Sequence, residues 1–248
     1  MNKLLSLMLV IAMPCPADGL TDLQGILVKL QGTEAIRARA DIQRWSKEGE
    51  GKKARTKQSH CTIQIEDGPS GLRLGWTPQQ IAGARKEALA KITNPDAETP
   101  NLDALSATGG ISATGATDCL CHGDYLLQLV SGATVLEDRA DSYLGHPSRL
   151  LVLKLNPTMN AEEKSMVKNR EERLKVWLDD HGIPVGTEHT MALKASKFLI
   201  TFTVNNRQER KLAVVGNRLV VQSETHEDSG SGMGFSNTSK KVTSLTFF

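Results

Sequence analysis

The stretch from Arg173 to Leu193 constrains the fold more than any other. Leu174, Val176 and Leu178 alternate with Arg173, Lys175 and Asp179, the period-two pattern of a strand that buries one face and wets the other. Asp179-Asp180-His181-Gly182-Ile183-Pro184 ends the run: Asp and Gly tolerate tight-turn geometry, and Pro184 has no amide to give a central ladder. Thr187, His189, Met191 and Leu193 then fall on one face of the next run, so the spacing predicts a hairpin. Hairpins in series require an antiparallel sheet with one face covered.

The pattern recurs in both directions. Ile36, Ala38, Ala40 and Ile42 alternate with polar residues, as do Cys61, Ile63 and Ile65, and Leu72, Leu74 and Trp76 follow a glycine turn. These predict three early strands. Arg149 to Leu153 is apolar on both faces, which predicts a central strand. Further strands are expected from Thr134, over Phe198 to Val204, Leu212 to Val215, Leu219 to Val221 and Val242 to Phe248. Asn205-Asn206 is read as a turn, and Gly230, Gly232 and Gly234 as a mobile loop or wide hairpin. Helical spacing of Leu20, Leu23, Ile26, Leu27 and Leu30 predicts an opening helix, with Asp18 as cap and Gly32 as stop. Thr77-Pro78-Gln79-Gln80 is a capping box leading into Ile81, Ala84, Ala88, Leu89 and Ile92. A short helix is expected around Asp124 to Val130, and Ala161 to Arg173 reads as a charged connector. The fold class is therefore mainly β (α+β): a curled antiparallel sheet or unclosed barrel of roughly ten strands, with two or three helices on its concave face.

The amino end assigns a compartment. Lys3 precedes an apolar run from Leu4 to Met13, and Pro14-Cys15-Pro16-Ala17 follows with small residues before the expected cleavage point. This is the pattern of a secretory signal peptide, residues 1–17, leaving 18–248 as one domain that begins at Asp18. A run of ten residues, nine of them apolar, is too short for a bilayer span, which takes about 20. A lipid-anchored reading would place a diacylglycerol on Cys15, although Pro14 fits a lipobox poorly. The expected location is periplasmic or secreted, with no transmembrane span.

A formal charge of +2 and an aromatic content of 4% argue against a nucleic-acid partner. Lys47, Lys52, Lys53, Arg55 and Lys57 cluster as a solvated hairpin tip that could also meet anionic lipid or phosphate. In an exported chain the cysteines of the domain, Cys61, Cys119 and Cys121, point first to a disulfide from Cys61 to Cys119 or Cys121. Free thiols remain open, and so does a soft-metal set with His60 and His122, against which the single-residue gap between Cys119 and Cys121 speaks. Gly230-Ser231-Gly232-Met233-Gly234 lacks the strand-to-helix setting of a phosphate loop and the order of a nucleophile elbow. His146, His181 and His189 lie near carboxylates, and Asp179-Asp180 are paired, but no catalytic motif joins them. No enzyme activity, metal or cofactor is expected.

Two segments carry a family resemblance: Tyr143-Leu144-Gly145-His146-Pro147-Ser148-Arg149-Leu150-Leu151-Val152-Leu153, and Leu174-Lys175-Val176-Trp177-Leu178-Asp179 leading to Gly182-Ile183-Pro184-Val185. They resemble the paired strands of periplasmic LolA/LolB-like lipoprotein carriers and of the related amino-terminal domain of RseB-like regulators. The resemblance implies an opening helix, a long antiparallel sheet curled into an unclosed barrel, and helices on its concave side. It also implies an exported, non-enzymatic binding protein for an apolar or lipid-like ligand, its acyl chain held under helices at Leu20 to Leu30 and Thr77 to Ile92. The alternative is a cell-envelope structural or protein-interaction domain with an envelope protein partner and no small ligand. A filled interior with an exposed apolar patch would favour the second.

Overall fold

The computed structural model describes residues 19–51, 54–106, 109–197 and 200–248. The predicted signal peptide, Asp18, Lys52, Lys53 and Phe198 lie outside the described residues. The domain is one ten-stranded antiparallel sheet. Its strands are β1 (Ile36–Glu48), β2 (Arg55–Asp67), β3 (Arg73–Trp76), β4 (Thr134–Tyr143), β5 (His146–Lys154), β6 (Val167–Leu178), β7 (Pro184–Lys197), β8 (Ile200–Val215), β9 (Arg218–Gly232) and β10 (Phe235–Phe247). Their order across the sheet is β3-β2-β1-β10-β9-β8-β7-β6-β5-β4. The last strand thus pairs with the first, while β3 and β4 remain as edges and the barrel stays open. The fold class expected from the alternation is the one observed.

Six helices accompany the sheet among the described residues, more than the two or three expected: α1 (Gly19–Lys29), α2 (Pro78–Thr93), α3 (Pro100–Leu105), α4 (Ala113–Leu120), α5 (His122–Leu129) and α6 (Ala161–Met166). The extra ones are short. α3 and α4 come from residues 94–117, rich in Pro, Gly, Ala, Ser and Thr, where weak apolar periodicity hides the helical turn but Pro100 at the first position and Ser112 as a cap define it.

Alternation decides which face is covered. Ala38, Ala40 and Ile42 on β1 register with Ile65, Ile63 and Cys61 on β2, and Ala40 also with Leu245 on β10; all are buried, as is Ile36. Leu151 and Leu153 on β5 and Leu174 and Val176 on β6 extend the same apolar floor. α1, α4 and α5 lie on it: Leu23, Leu27, Ala116 and Leu120 have no exposed surface and Leu126 only 1%. Arg149 fastens this roof, its Nε and Nη2 bonding Asp138 at 2.7 and 2.6 Å and its Nη1 reaching Asp22 of α1 at 3.2 Å. The helix start needs glycine there, since a Cβ on Gly19 would stand 2.5 Å from Asp138 Oδ2 and 2.7 Å from Leu151 Cδ2.

Several expectations are corrected. β5 lies next to the edge rather than centrally. Its second apolar face, Leu150 and Val152, stands opposite Arg139 and Trp177, and Glu137 and Lys175, so long side chains with aliphatic stems flank it. Asn205-Asn206 is no turn: β8 runs through it, because cross-strand pairs such as Asn206 Nδ2 to Asp228 Oδ1 at 2.7 Å hold those residues in the ladder. Gly230 and Gly232 belong to β9, and a two-residue turn with positive φ at Met233 and Gly234 leads into β10, as right-handed twist favours. The charged connector is helical only over α6, and β6 begins at Val167. Finally, α2 does not roof the concavity. It packs on α3, which packs on β2.

Candidate functional site

The sheet offers two unequal edges. β3 is four residues long and pairs only from Ile63↔Trp76 to Glu66↔Arg73. β2 continues as an unpaired edge from Arg55 to Thr62, on whose outer side no ladder partner stands among the described residues. Eight residues span roughly 26 Å, and every other one turns both its N–H and C=O outward.

An arm made of α2, α3 and their loop stands beside this edge without pairing to it. α2 starts at the expected capping box, where Gln80 N–H donates to Thr77 Oγ1 at 3.3 Å and Thr77 N–H donates to Gln80 Oε1 at 3.0 Å. Glu87 ties α2 to α3: the Asn101 amide donates to it at 2.5 Å and the Leu102 N–H at 2.8 Å. Gly83 permits the approach, since a Cβ there would lie 3.1 Å from the Asn101 side chain. Ala104 of α3 is buried in the core. The loop itself runs from Pro95 to Thr99, bracketed by Pro95 and Pro100, and two prolines in six residues remove donors a pairing strand would need.

Three clefts meet along this edge. The largest, about 850 Å³, separates Arg55 to Gln58 from Lys91, the Pro95 to Thr99 loop and Asp103. A second, about 650 Å³, runs past Gln58, Ser59 and His60 beneath Pro100 and Asn101 and on to Trp45. The third, about 270 Å³, lies between Lys57 to Ser59 and Asp103, Ser106 and Gly109. Gln58 borders all three. The β2 wall is cationic, with Arg55 and Lys57, and the arm supplies Lys91 together with Asp96, Glu98 and Asp103.

The residues singled out in the sequence lie elsewhere for the most part. The three cysteines among the described residues, Cys61, Cys119 and Cys121, are free thiols. Cys121 sits beside Asp67, its Sγ 3.9 Å from Asp67 Oδ2 and 3.4 Å from Arg218 Nη1. Asp67 is six residues from Cys61 on β2, roughly 20 Å at the strand rise, which separates Cys121 from Cys61 far beyond disulfide reach. Cys61 and Cys119 both belong to the core cluster. Burial raises both thiols, that of Cys119 to about 12, so neither is poised as thiolate nucleophile or ligand. His122 is wholly buried and held neutral by burial at a pKa of about 3, its Nδ1 bonded to the Asp118 carbonyl at 3.1 Å. No group of three or more His, Cys, Asp and Glu that could hold a metal is found among the described residues.

The polar half of the concave face holds side-chain pairs across the sheet. His189 bonds Glu172 at 2.8 Å, and buried Arg210 bonds Glu224 at 2.8 Å. His226 meets Asp228 at 3.1 Å, and Ser239 Oγ donates to Asp228 at 3.4 Å. The serine therefore addresses the carboxylate and not the imidazole, the reverse of what nucleophile activation requires. Trp177 is a packing ring: Tyr143 lies 5.2 Å away, and its Nε1 donates to Asp141 at 3.2 Å. His146 and His181 are exposed, and His181 faces Asp180 at 3.7 Å.

No protein-family model and no curated protein matches the chain. Among solved structures, the crystal structure of MucB in complex with MucA(peri) aligns over 92% of this chain and 94% of that chain, at 7% identity and a TM-score of 0.21. A likeness that low leaves the fold to rest on this chain's own sheet order and its function on its own surfaces. The missed site has one signal in the sequence, the brevity of the Leu72 to Trp76 strand beside the long run ending at Asp67.

Proposed function

We propose that this protein is a non-enzymatic interaction domain of the cell envelope that takes up an extended segment of a partner protein along the free edge of β2. The observation that carries the reading is the eight-residue edge, Arg55 to Thr62, left without a ladder partner among the described residues and bordered by an open cleft of about 850 Å³. An unpaired edge is a template for strand addition, where main-chain bonds supply affinity and alternate side-chain pockets supply selectivity. Here Arg55, Lys57 and Ser59 would meet one face of the added segment, and Thr56, Gln58 and His60 the other. The filled interior supports this reading over the carrier reading, since α1, α4 and α5 occupy the apolar half of the concavity where an acyl chain would lie. Export, on which the envelope setting depends, rests on the amino-terminal sequence pattern.

A photo-crosslinking residue at Gln58, in the cells that make the protein, tests the reading against the same residue at Thr134 on the opposite edge. One discrete protein adduct at Gln58 and none at Thr134, with slowed amide exchange over Arg55 to Thr62 in the isolated complex, is expected. Stoichiometric lipid on organic extraction, with exchange at the edge unchanged, would return the protein to the carrier class.

A further inference from the structure

α2 presents an apolar stripe to solvent. Ile81, Ala88, Leu89 and Ile92 recur with Arg85 at helical spacing along one side, and Ile81 is 44%, Leu89 67% and Ile92 77% exposed. The packed side is a different one: Ala84 is the single buried residue of the helix, and Gly83 and Glu87 meet α3. The stripe is thus surplus to what holds the arm together.

The charges around it are of one sign. Arg85, Lys86 and Lys91 are exposed, and none has an ion-pair partner among the described residues. The one carboxylate of the helix, Glu87, is turned inward and spent on Asn101 and Leu102. Lys91 stands one turn on from Glu87, on the packed side, and lines the cleft with Asp96, Glu98, Arg55 and Lys57, so Arg85 and Lys86 are the cations of the outer face. An apolar stripe about 16 Å long, with Arg85 and Lys86 on the same outer side and no carboxylate of the helix there, is the composition of a helix that lies in a lipid interface. There its aliphatic side chains enter the acyl boundary and its cations stay at the headgroups.

We infer that the outer face of α2 docks the domain on an anionic phospholipid surface. The cations contribute about fivefold in affinity each at such a surface, and Arg85, set within the stripe, keeps its guanidinium at the headgroups while its stem follows the apolar side chains. Docked in this way, the arm lies flat and the β2 edge stands beside the membrane.

The test reads α2 locally in the full chain, with Leu89→Trp as reporter against the parent spectrum. Leu89 is exposed, so an unchanged melting temperature and near-ultraviolet circular dichroism are expected for the variant. With vesicles of about 30% phosphatidylglycerol in phosphatidylcholine at roughly 50 mM salt, where screening is weak, the reporter's emission shifts blue and is quenched by brominated acyl chains. Phosphatidylcholine alone gives neither. Adding Arg85→Gln and Lys86→Gln to the reporter chain weakens the apparent affinity about 25-fold, and salt at about 500 mM weakens it for the reporter alone. Three outcomes overturn the inference: an unchanged emission with anionic vesicles, an equal shift with both lipids, or concentration-dependent self-association that shelters the reporter without lipid.

Discussion

The two edges of this sheet are finished differently. β4 is closed by its own side chains: Arg139 Nε bonds Glu137 at 3.0 Å and its Nη1 lies 3.7 Å from Asp141, while Arg149 joins Asp138 to α1. Tyr143 folds over Gly186 and Trp177. Alternating charge and a covering ring are ways to discourage pairing at an edge. Over Arg55 to Thr62, β2 carries charge as well, in Arg55, Lys57 and His60, which bonds Asp41 at 2.7 Å, but no ring pair like that of Tyr143 and Trp177 is found on it among the described residues. A proline-bracketed arm stands off from it, and clefts fill the gap. The covering ring is thus found at one end only among the described residues, and the other end is where the proposed partner segment would be received.

Substitutions sharpen the comparison. The closed half carries the stability, so Leu27→Ala, at a residue with no exposed surface, is expected to cost about 2–5 kcal/mol in urea unfolding, whereas Leu89→Ala on the arm changes it by roughly 0.5 kcal/mol or less. Equal losses would abolish the distinction between the halves. Next in size is Gly186→Ala, whose Cβ would stand 2.2 Å from Tyr143 Cζ; overpacking of this kind costs about 1–3 kcal/mol. Pairing it with Tyr143→Ala should recover part of that loss in a double-mutant cycle. Additive losses would mean that the ring does not cover the β4 end as described.

The two halves are also unequally legible in the sequence. Period-two alternation at Leu174, Val176 and Leu178 and at Ile36 to Ile42 places the buried face correctly, because one wet and one dry face impose it. The Thr77 capping box and the helix near Asp124 are readable from cap and spacing. What stays hidden depends on tertiary partners. The apolar residues of α2 look like core residues, yet only Ala84 is buried, since whether a stripe meets the sheet is set by the arm's attachment through Glu87 and Asn101 rather than by its period. Asn205-Asn206 looks like a turn because local propensity favours one, and its cross-strand bonds override that. The free edge of β2 follows from the relative lengths of β2 and β3, a property of pairing that no single motif encodes.

The finest test concerns the joint within the arm, the Glu87 clamp. Its carboxylate accepts from Leu102 N–H in the first turn of α3, where a negative charge also meets the helix dipole favourably. Burial pulls the Glu87 pKa upward, but the Leu102 N–H and the Asn101 donors outweigh it and hold the carboxyl below the ordinary glutamate value. A pKa lowered on folding means stabilisation that is complete above the unfolded value of about 4.3 and is lost as pH falls through the lower folded value. Glu87→Gln should therefore cost about 1 kcal/mol at neutral pH. The gap between the two proteins should close as pH drops below about 4.3, read as the difference in urea unfolding free energy so that carboxylates common to both cancel. A gap that does not narrow at all below about pH 4.3 would show that the charge on Glu87 does not hold α2 to α3, and the arm would then owe its position beside the β2 edge to Ala104 and the core beneath it.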